Sequence, residues 1–197
     1  MNEQTEQTEQ TEQARRTQST QSTQRTERTE LVERVNEQDE VLEVVSRAEA
    51  IRHKWLHRIA TVVCRDPAGR ILVHRRPSDA TLFPGRFNWM LGGAVGVGES
   101  YGSAAARELA EEIGVEARPR FVLKFRCEGA ISPYWLALHE VVLDAPIRPH
   151  PTEVAWHTWL PEDEVHALSR HEHFVPDARE ALTRYRSESR GRGGSGD

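Results

Sequence analysis

The chain has 197 residues, which is enough for one domain with a buried core, and its formal net charge is −5 at pH 7. This mild acidity does not favour binding to nucleic acid or to an anionic membrane, and no apolar run is long enough to span a bilayer. Cys64 and Cys127 stand far apart without a CxxC neighbour, which is typical of reduced cysteines in a cytoplasmic protein.

The N-terminal 30 residues have the composition of a disordered tail. Between Asn2 and Glu30 the only apolar side chain is Ala14, and Thr, Glu and Gln recur in a three-residue repeat. Such a segment cannot bury enough apolar surface to offset the entropy lost on ordering. The C-terminal stretch 187–197, SESRGRGGSGD, has the same character. We therefore predict disordered tails at 1–30 and 187–197 and a folded domain at 31–186.

Within this domain, strand-like and helix-like patterns alternate. LVERVN and EVLEVV predict a hairpin, and the helix that follows can be capped by Ser46. RIATVVC and RILVHR are β-branched runs joined by the turn RDPAG. Three further strands are predicted at RFVLKFRC, YWLALHEVVL and EVAWHTWL. PEDEVHAL, with Pro161 in its first turn, and PDAREALTRYR predict two late helices. The pattern indicates an α+β fold with mostly hairpin-like connections.

One further helix, predicted between RILVHR and RFVLKFRC, carries crowded carboxylates. Ser100 suits its N-cap, and Gly114 suits the left-handed residue that ends it. Its apolar positions have the period of a buried stripe: Ala106, Leu109, Ala110 and Ile113. Three glutamates share another face: Glu108, Glu111 and Glu112. Like charges at this spacing oppose helix formation by about 0.2–0.5 kcal/mol per pair.

Two interpretations of the glutamates are open. They can form a solvated acidic face, which is common in surface helices. Alternatively, they can hold Mg²⁺ or Mn²⁺, which prefer carboxylate oxygens and share the rest of their ligand shell with water and substrate phosphates. The glycines upstream favour the second interpretation, because they let the backbone turn tightly and approach a ligand: Gly92, Gly93, Gly96 and Gly98.

The stretch from Gly93 to Val115, GAVGVGESYGSAAARELAEEIGV, resembles the Nudix box, G-x5-E-x7-R-E-U-x-E-E-x-G-U, in which U is a bulky aliphatic residue. Every defined position is filled. The resemblance implies the Nudix fold, an α/β/α sandwich in which helices flank a mixed β-sheet. It also implies a hydrolase that uses Mg²⁺ or Mn²⁺. The implied substrate is a small diphosphate, either a nucleoside diphosphate derivative or a related pyrophosphate.

The resemblance also assigns roles within the box. The matching metal ligands are Glu108, Glu111, Glu112 and the backbone carbonyl of Gly93. Arg107 is similar to an arginine that pairs with the first glutamate of the box, here Glu99. The predicted catalytic set is Glu99, Arg107, Glu108, Glu111 and Glu112.

Outside the box the assignments depend on residue chemistry. Arg75 and Arg76 are candidates for binding substrate phosphates, because a guanidinium can hold a phosphate in a bidentate manner. A general base is sought among three acids: Glu153, Glu128 and Glu140. Base or sugar recognition is expected from loops at 77–88 and 125–133. A homodimer is compatible with the size of the chain, and the oligomeric state stays open.

The early part of the chain is also similar to the isopentenyl-diphosphate isomerase-like branch, which has a hairpin, a short helix and a histidine at the place of His57. In true isomerases the segment equivalent to FNWMLGGAV bears a catalytic cysteine and a metal-binding histidine, and this chain has neither there. A hydrolase is therefore the preferred hypothesis. The alternatives are an isomerase-like enzyme and a non-catalytic ligand-binding module.

Overall fold

The computed structural model describes residues 30–192, so the predicted N-terminal tail, apart from Glu30, and residues 193–197 lie outside the described part. The strands are β1 (Leu31–Val35), β2 (Val41–Ser46), β3 (Arg58–Arg65), β4 (Ile71–Arg75), β5 (Phe87–Asn88), β6 (Leu91–Ala94), β7 (Arg120–Cys127), β8 (Tyr134–Val142) and β9 (Trp156–Leu160). The helices are α1 (Arg47–Arg52), α2 (Tyr101–Ile113), α3 (Glu162–Leu168) and α4 (Pro176–Arg192). Within this range, no helix is long and apolar enough to cross a membrane.

The predicted N-terminal hairpin and its helix cap are present. Strands β1 and β2 pair in antiparallel orientation, with a register shift at Arg34/Val35. Ser46 caps α1 because its hydroxyl accepts the Glu49 backbone N–H at 3.2 Å, while the Glu49 carboxylate accepts the Ser46 N–H at 3.3 Å. This reciprocal capping box stabilises a helix of only six residues.

The main sheet is mixed. Its principal order is β5-β4-β3-β8-β7, with β6 also paired to β3 and β9 to β4. Strand β8 runs parallel to β3 along all eight residues of β3, and the other pairings in this sheet are antiparallel. The long connection between these two parallel strands contains α2, which packs against β3 and β6.

Successive residues of the strands point to opposite faces of the sheet, and each face packs in its own hydrophobic layer. On one face Ala60, Val62 and Leu72 pack with the buried stripe of α2, which includes Leu109 and Ile113. On the other face the sheet packs with α3 and α4 through buried residues that include Val63, Val73, Leu136, Leu138, Leu182 and Tyr185. Helices therefore cover both faces of a mixed sheet, and the predicted α+β fold is confirmed.

Several element boundaries differ from the prediction. Strand β9 begins at Trp156 instead of Glu153, because residues 151–153 form a turn in which His150 O accepts the Val154 N–H. Pro161 lies just before α3 with an extended ψ of 147° instead of in its first turn. Helix α4 continues to Arg192, beyond the predicted domain end at residue 186. The short strands β5 and β6 were not predicted.

Candidate active site

Helix α2 carries most of the candidate site, and its ends are fixed by the expected caps. The Ser100 hydroxyl accepts the backbone N–H of Ser103 at 3.1 Å. Gly114 ends the helix with φ at 67°, in the left-handed region that glycine adopts without steric cost. Glu112 shares the buried side of the helix and is only 6% exposed. The acidic face is therefore not a uniformly solvated one.

Two glycines of β6 bring two of the carboxylates against the sheet. The Gly92 backbone N–H donates to Glu112 Oε1 at 2.7 Å. At Gly93, an added Cβ would lie 2.6 Å from Glu108 Oε1 and 3.0 Å from Oε2. The space that a side chain would fill at position 93 is thus taken by the Glu108 carboxylate. Strand β6 and helix α2 together place Glu112, which is buried, and Glu108, which is partly buried, against adjacent glycines, and this pair is called the acidic pocket below.

The Arg107 guanidinium donates hydrogen bonds to three glutamates of the box: Glu99, Glu108 and Glu111. Its Nε and Nη2 donate to the two carboxylate oxygens of Glu99, each at 3.1 Å, which is the predicted ion pair in a bidentate form. Nη1 donates to Glu108 at 2.7 Å and to Glu111 at 3.1 Å. Nη2 also donates to the Ala94 carbonyl at 3.0 Å, so the guanidinium joins α2 to β6.

Glu111 is placed differently from the other two predicted metal ligands. Its side chain is 59% exposed and contacts Arg107, whereas that of Glu108 is 13% exposed. Across residues 30–192, no group of three or more His, Cys, Asp and Glu side chains is arranged to hold a metal ion. In the metal-free structure, Glu108 and Glu112 lie against β6, while Glu111 points to solvent beside Arg107.

Burial makes these two carboxyl groups hard to ionise. It raises the pKa of Glu112 to about 8, although the Gly92 N–H opposes the shift, and the charge of Glu108 raises it further. Burial also raises the pKa of Glu108, against the opposing effect of Arg107. In Glu99, by contrast, burial is outweighed by the hydrogen bonds from Arg107 and Gly96, so its pKa lies below the usual value. A cation bound between these two glutamates would therefore favour the ionised form of both.

The raised pKa of Glu112 predicts an unusual dependence of stability on pH. Between its unfolded pKa, near 4.5, and its folded pKa of about 8, Glu112 is protonated in the folded state and ionised in the unfolded state. The folded state then binds more protons, so the free energy of unfolding falls as pH rises, by up to about 1.4 kcal/mol per unit from this group.

Urea unfolding of the metal-free protein at a series of pH values measures this effect. We expect the difference in stability between Glu112→Gln and the wild type to grow in favour of the variant as pH rises from about 5 to about 8. Parallel pH curves for the two proteins would show that Glu112 ionises normally.

The predicted residues outside the box separate into two groups. Glu153 is near enough to Glu112 for its negative charge to raise the pKa of that residue. Its turn is attached to α2: His150 N–H donates to the main-chain carbonyl of Glu112 at 2.7 Å, and Glu153 N–H donates to His150 O at 3.0 Å. Arg76 is also near enough for its charge to lower the pKa of Glu112. Arg75 is exposed at the end of β4.

The two other candidate bases lie elsewhere. Glu140 accepts hydrogen bonds from Arg65 Nε at 2.8 Å, Arg120 Nη2 at 2.7 Å and the Tyr185 hydroxyl. Tyr185 belongs to the core layer on the side of α4, so Glu140 is turned away from α2. Glu128 follows β7, is 76% exposed and pairs with Arg126. Neither carboxylate contributes to the pocket of Glu108 and Glu112.

His57 and the cysteines do not form an isomerase-type centre in the described part of the chain. His57 is buried, its Nδ1 lies 3.2 Å from the Trp55 carbonyl oxygen, and burial lowers its pKa. Cys64 and Cys127 are free and buried, and burial raises the pKa of both thiols, that of Cys127 to about 11. Neither thiol is readily ionised.

Sequence reasoning missed two residues that support the box from outside. Glu33 Oε1 accepts the Gly98 N–H at 3.0 Å, and Asp39 accepts the Tyr101 hydroxyl at 3.0 Å. The segment around them is rich in exposed acids, and nothing in its pattern separates these two. Their importance emerges only when the hairpin is placed beside the turn that precedes α2.

Comparisons with known proteins agree with this geometry. The family model described as the NUDIX domain matches residues 55–184. The chain belongs to the Nudix family. A protein of Streptomyces coelicolor described as an uncharacterized Nudix hydrolase is 40% identical over 162 residues, covering 76% of this chain and 90% of the relative. The Nudix hydrolase YfcD of Escherichia coli K12, also described as uncharacterized, is 33% identical over 145 residues, covering 73% and 79%.

Solved structures place this Nudix domain in the same fold. The crystal structure of DR0079 from Deinococcus radiodurans superimposes with a TM-score of 0.69 at 28% identity, covering 79% of this chain and 99% of that one. The Nudix fold and the assignment to the hydrolases are therefore established. The narrower similarity to the isomerase-like branch is not shown by these relatives.

Proposed function

We propose that this Nudix hydrolase cleaves the diphosphate linkage of a nucleoside diphosphate derivative or a related pyrophosphate, with a divalent cation bound at Glu108 and Glu112. The observation that carries the proposal is the pocket itself. The buried carboxyl group of Glu112 and the partly buried one of Glu108 lie against Gly92 and Gly93, and burial raises the pKa of Glu112 to about 8. Hard oxygen donors that repel one another suit Mg²⁺ or Mn²⁺.

In this proposal the residues of the box have separate roles. Glu108 and Glu112 hold the cation, with the Gly93 carbonyl and Glu111 as the further ligands implied by the box. A divalent ion bound there supplies polarisation of the phosphoryl oxygens and neutralises charge on the leaving group. Arg107, fixed by Glu99, sets the direction of the Glu108 carboxylate. Arg76 supplies a positive charge for a substrate phosphate.

Glu153 is the general base in this proposal. It is the acid among the three candidates whose turn is hydrogen-bonded to the end of α2, and its charge acts on Glu112. As a carboxylate it accepts the proton of the attacking water, while Glu108 and Glu112 remain occupied by the cation. Position supports this role, since Glu140 and Glu128 are paired with arginines away from the pocket.

The direct test is product release from a panel of diphosphates with Mg²⁺ or Mn²⁺. The panel includes ADP-ribose, which is bound by the Nudix domain of Shewanella oneidensis NrtR, a structure that shares the fold at 15% identity and a TM-score of 0.54. Metal-dependent cleavage of one compound supports the proposal and names the substrate class. Binding of Mn²⁺ and ligand without cleavage would favour a binding module, and isomerisation of isopentenyl diphosphate would favour the isomerase-like alternative.

Glu153→Gln is expected to lower kcat by about 10²-fold, because a positioned base contributes roughly this much or more. Mn²⁺ affinity should stay near that of the wild type, since Glu153 does not hold the cation in this proposal. The matched control is Glu128→Gln, which makes the same change at an exposed acid that pairs with Arg126. Equal rates for the two variants would remove Glu153 from the mechanism.

A further inference from the structure

The N-terminal hairpin lies before the part of the chain that the family model matches, yet it contacts the turn of the Nudix box directly. Val32 of β1 forms an isolated antiparallel bridge with Gly96. Glu33 Oε1 accepts the Gly98 N–H at 3.0 Å, and Asp39 Oδ2 accepts the Tyr101 hydroxyl at 3.0 Å. The hairpin therefore holds both sides of the turn at Gly96–Gly98 and the first residue of α2.

Both acidic side chains are themselves held firmly. Arg58 of β3 donates from Nη1 to Glu33 at 2.8 Å and from Nε to Asp39 at 2.7 Å, and Lys124 Nζ lies 2.6 Å from Asp39. The exposed fraction is 13% for the Glu33 side chain and 7% for that of Asp39. Asp39 adopts φ of 63°, a left-handed turn conformation that Asp tolerates better than most residues other than glycine.

A continuous set of contacts leads from the hairpin to the pocket. The turn that Glu33 holds also binds Glu99, because Gly96 N–H donates to Glu99 Oε2 at 2.9 Å. Glu99 fixes Arg107 through two hydrogen bonds, and Arg107 donates to Glu108 at 2.7 Å. A shift of the turn would thus change the direction of Glu99 and Arg107, and through them the carboxylate that faces Gly93.

We propose that the N-terminal hairpin is a working part of the active site, in which Glu33 and Asp39 are positioning residues for the turn at Gly96–Gly98 and the first turn of α2. The proposal rests on the proposed function, because the property they set is the cation-binding geometry of Glu108. It assigns to residues 31–46 a role in metal affinity in addition to their role in packing.

The test compares Mn²⁺ binding by full-length variants, followed by electron paramagnetic resonance, with urea unfolding of the same proteins. Glu33→Ala is expected to weaken Mn²⁺ binding about 10-fold, the lower end of the loss caused by removing a direct partner of a metal ligand, because Glu33 acts through Glu99 and Arg107. Glu33→Gln should recover part of the affinity, since its amide oxygen can still accept the Gly98 N–H, whereas its NH2 group cannot accept the hydrogen bond from Arg58. Glu43→Ala is the matched control, because Glu43 lies on the same hairpin, is 51% exposed and pairs with Arg34.

Tyr101→Phe is a second variant, which keeps the ring and removes only the hydroxyl bound to Asp39. It should weaken Mn²⁺ binding about 3-fold and lower the urea midpoint less than Glu33→Ala does, because Asp39 keeps its bonds from Arg58 and Lys124. If Glu33→Ala lowers the urea midpoint but binds Mn²⁺ like the wild type, or if Tyr101→Phe leaves the affinity unchanged, the positioning role is refuted. A wild-type protein that binds no Mn²⁺ would refute the proposed function itself, and the positioning role with it.

Discussion

Replacing Glu112 with Gln is expected to lower metal-dependent hydrolysis by about 10³-fold, the upper end of what loss of one preorganised electrostatic group costs. The amide cannot supply negative charge to a cation, although its oxygen can still accept the Gly92 N–H that Glu112 accepts at 2.7 Å. The fold should therefore persist. At pH 8 the metal-free variant should be at least as stable as the wild type, because a buried ionised carboxylate is costly.

The matched control for this experiment is Glu116→Gln, the same change at an exposed acid just after α2. Initial rates at saturating Mg²⁺ or Mn²⁺, together with urea unfolding of both variants, separate loss of function from loss of structure. A Glu112→Gln enzyme with more than about a tenth of the wild-type rate would contradict the assignment of Glu112 as a metal ligand.

Gly92→Ala is expected to lower the free energy of unfolding by about 3 kcal/mol or more. Gly92 has φ of 143°, and a Cβ there would lie 2.2 Å from the Ala60 carbonyl oxygen and 2.8 Å from Thr61 Cα. Both atoms belong to the backbone of β3, which pairs with β6 at this point. The clash can be relieved only by separating two strands of the main sheet. Urea or thermal unfolding of the metal-free protein measures the loss.

The neighbouring glycine offers a sharp contrast. At Gly93 the added Cβ would meet the end of the Glu108 side chain, which can rotate away, instead of backbone atoms. Gly93→Ala should therefore cost less stability than Gly92→Ala but impair Mn²⁺ binding, because the Glu108 carboxylate is displaced. If the two variants lose equal stability and both bind Mn²⁺ like the wild type, Gly93 does not position the Glu108 carboxylate for binding a cation.

Features that depend on nearby residues could be predicted from the sequence. The capping of α1 by Ser46 and of α2 by Ser100 and Gly114 depends on hydrogen bonds and backbone angles within a few residues. The pairing of Glu99 with Arg107 also lies within the box, whose spacing is specific enough to indicate the family. The hairpin and most of the strands follow from alternation of apolar and polar residues.

Pairing between distant segments could not be predicted in the same way. No local pattern indicates that β8 lies parallel to β3, or that short strands β5 and β6 join the sheet. The same limitation applies to the candidate bases. Glu153 and Glu140 are similar acids in the sequence, but the hydrogen bond from the His150 N–H to the main-chain carbonyl of Glu112 holds the turn of Glu153 at the end of α2. Alternation along β8 turns Glu140 to the opposite face of the sheet.

The sequence by itself determined the family, the hydrolase class and the helix that carries the carboxylates, because the box is a contiguous motif with its own capping signals. Only the tertiary structure decided which carboxylates share a buried pocket. Glu108 and Glu112 are enclosed by β6, whereas Glu111, at the same helical spacing, remains exposed beside Arg107. The tertiary structure also distinguishes Glu33 and Asp39 from the other acids of their segment, because both are largely buried and pair with Arg58 of β3. Such burial and pairing depend on strands from distant parts of the chain.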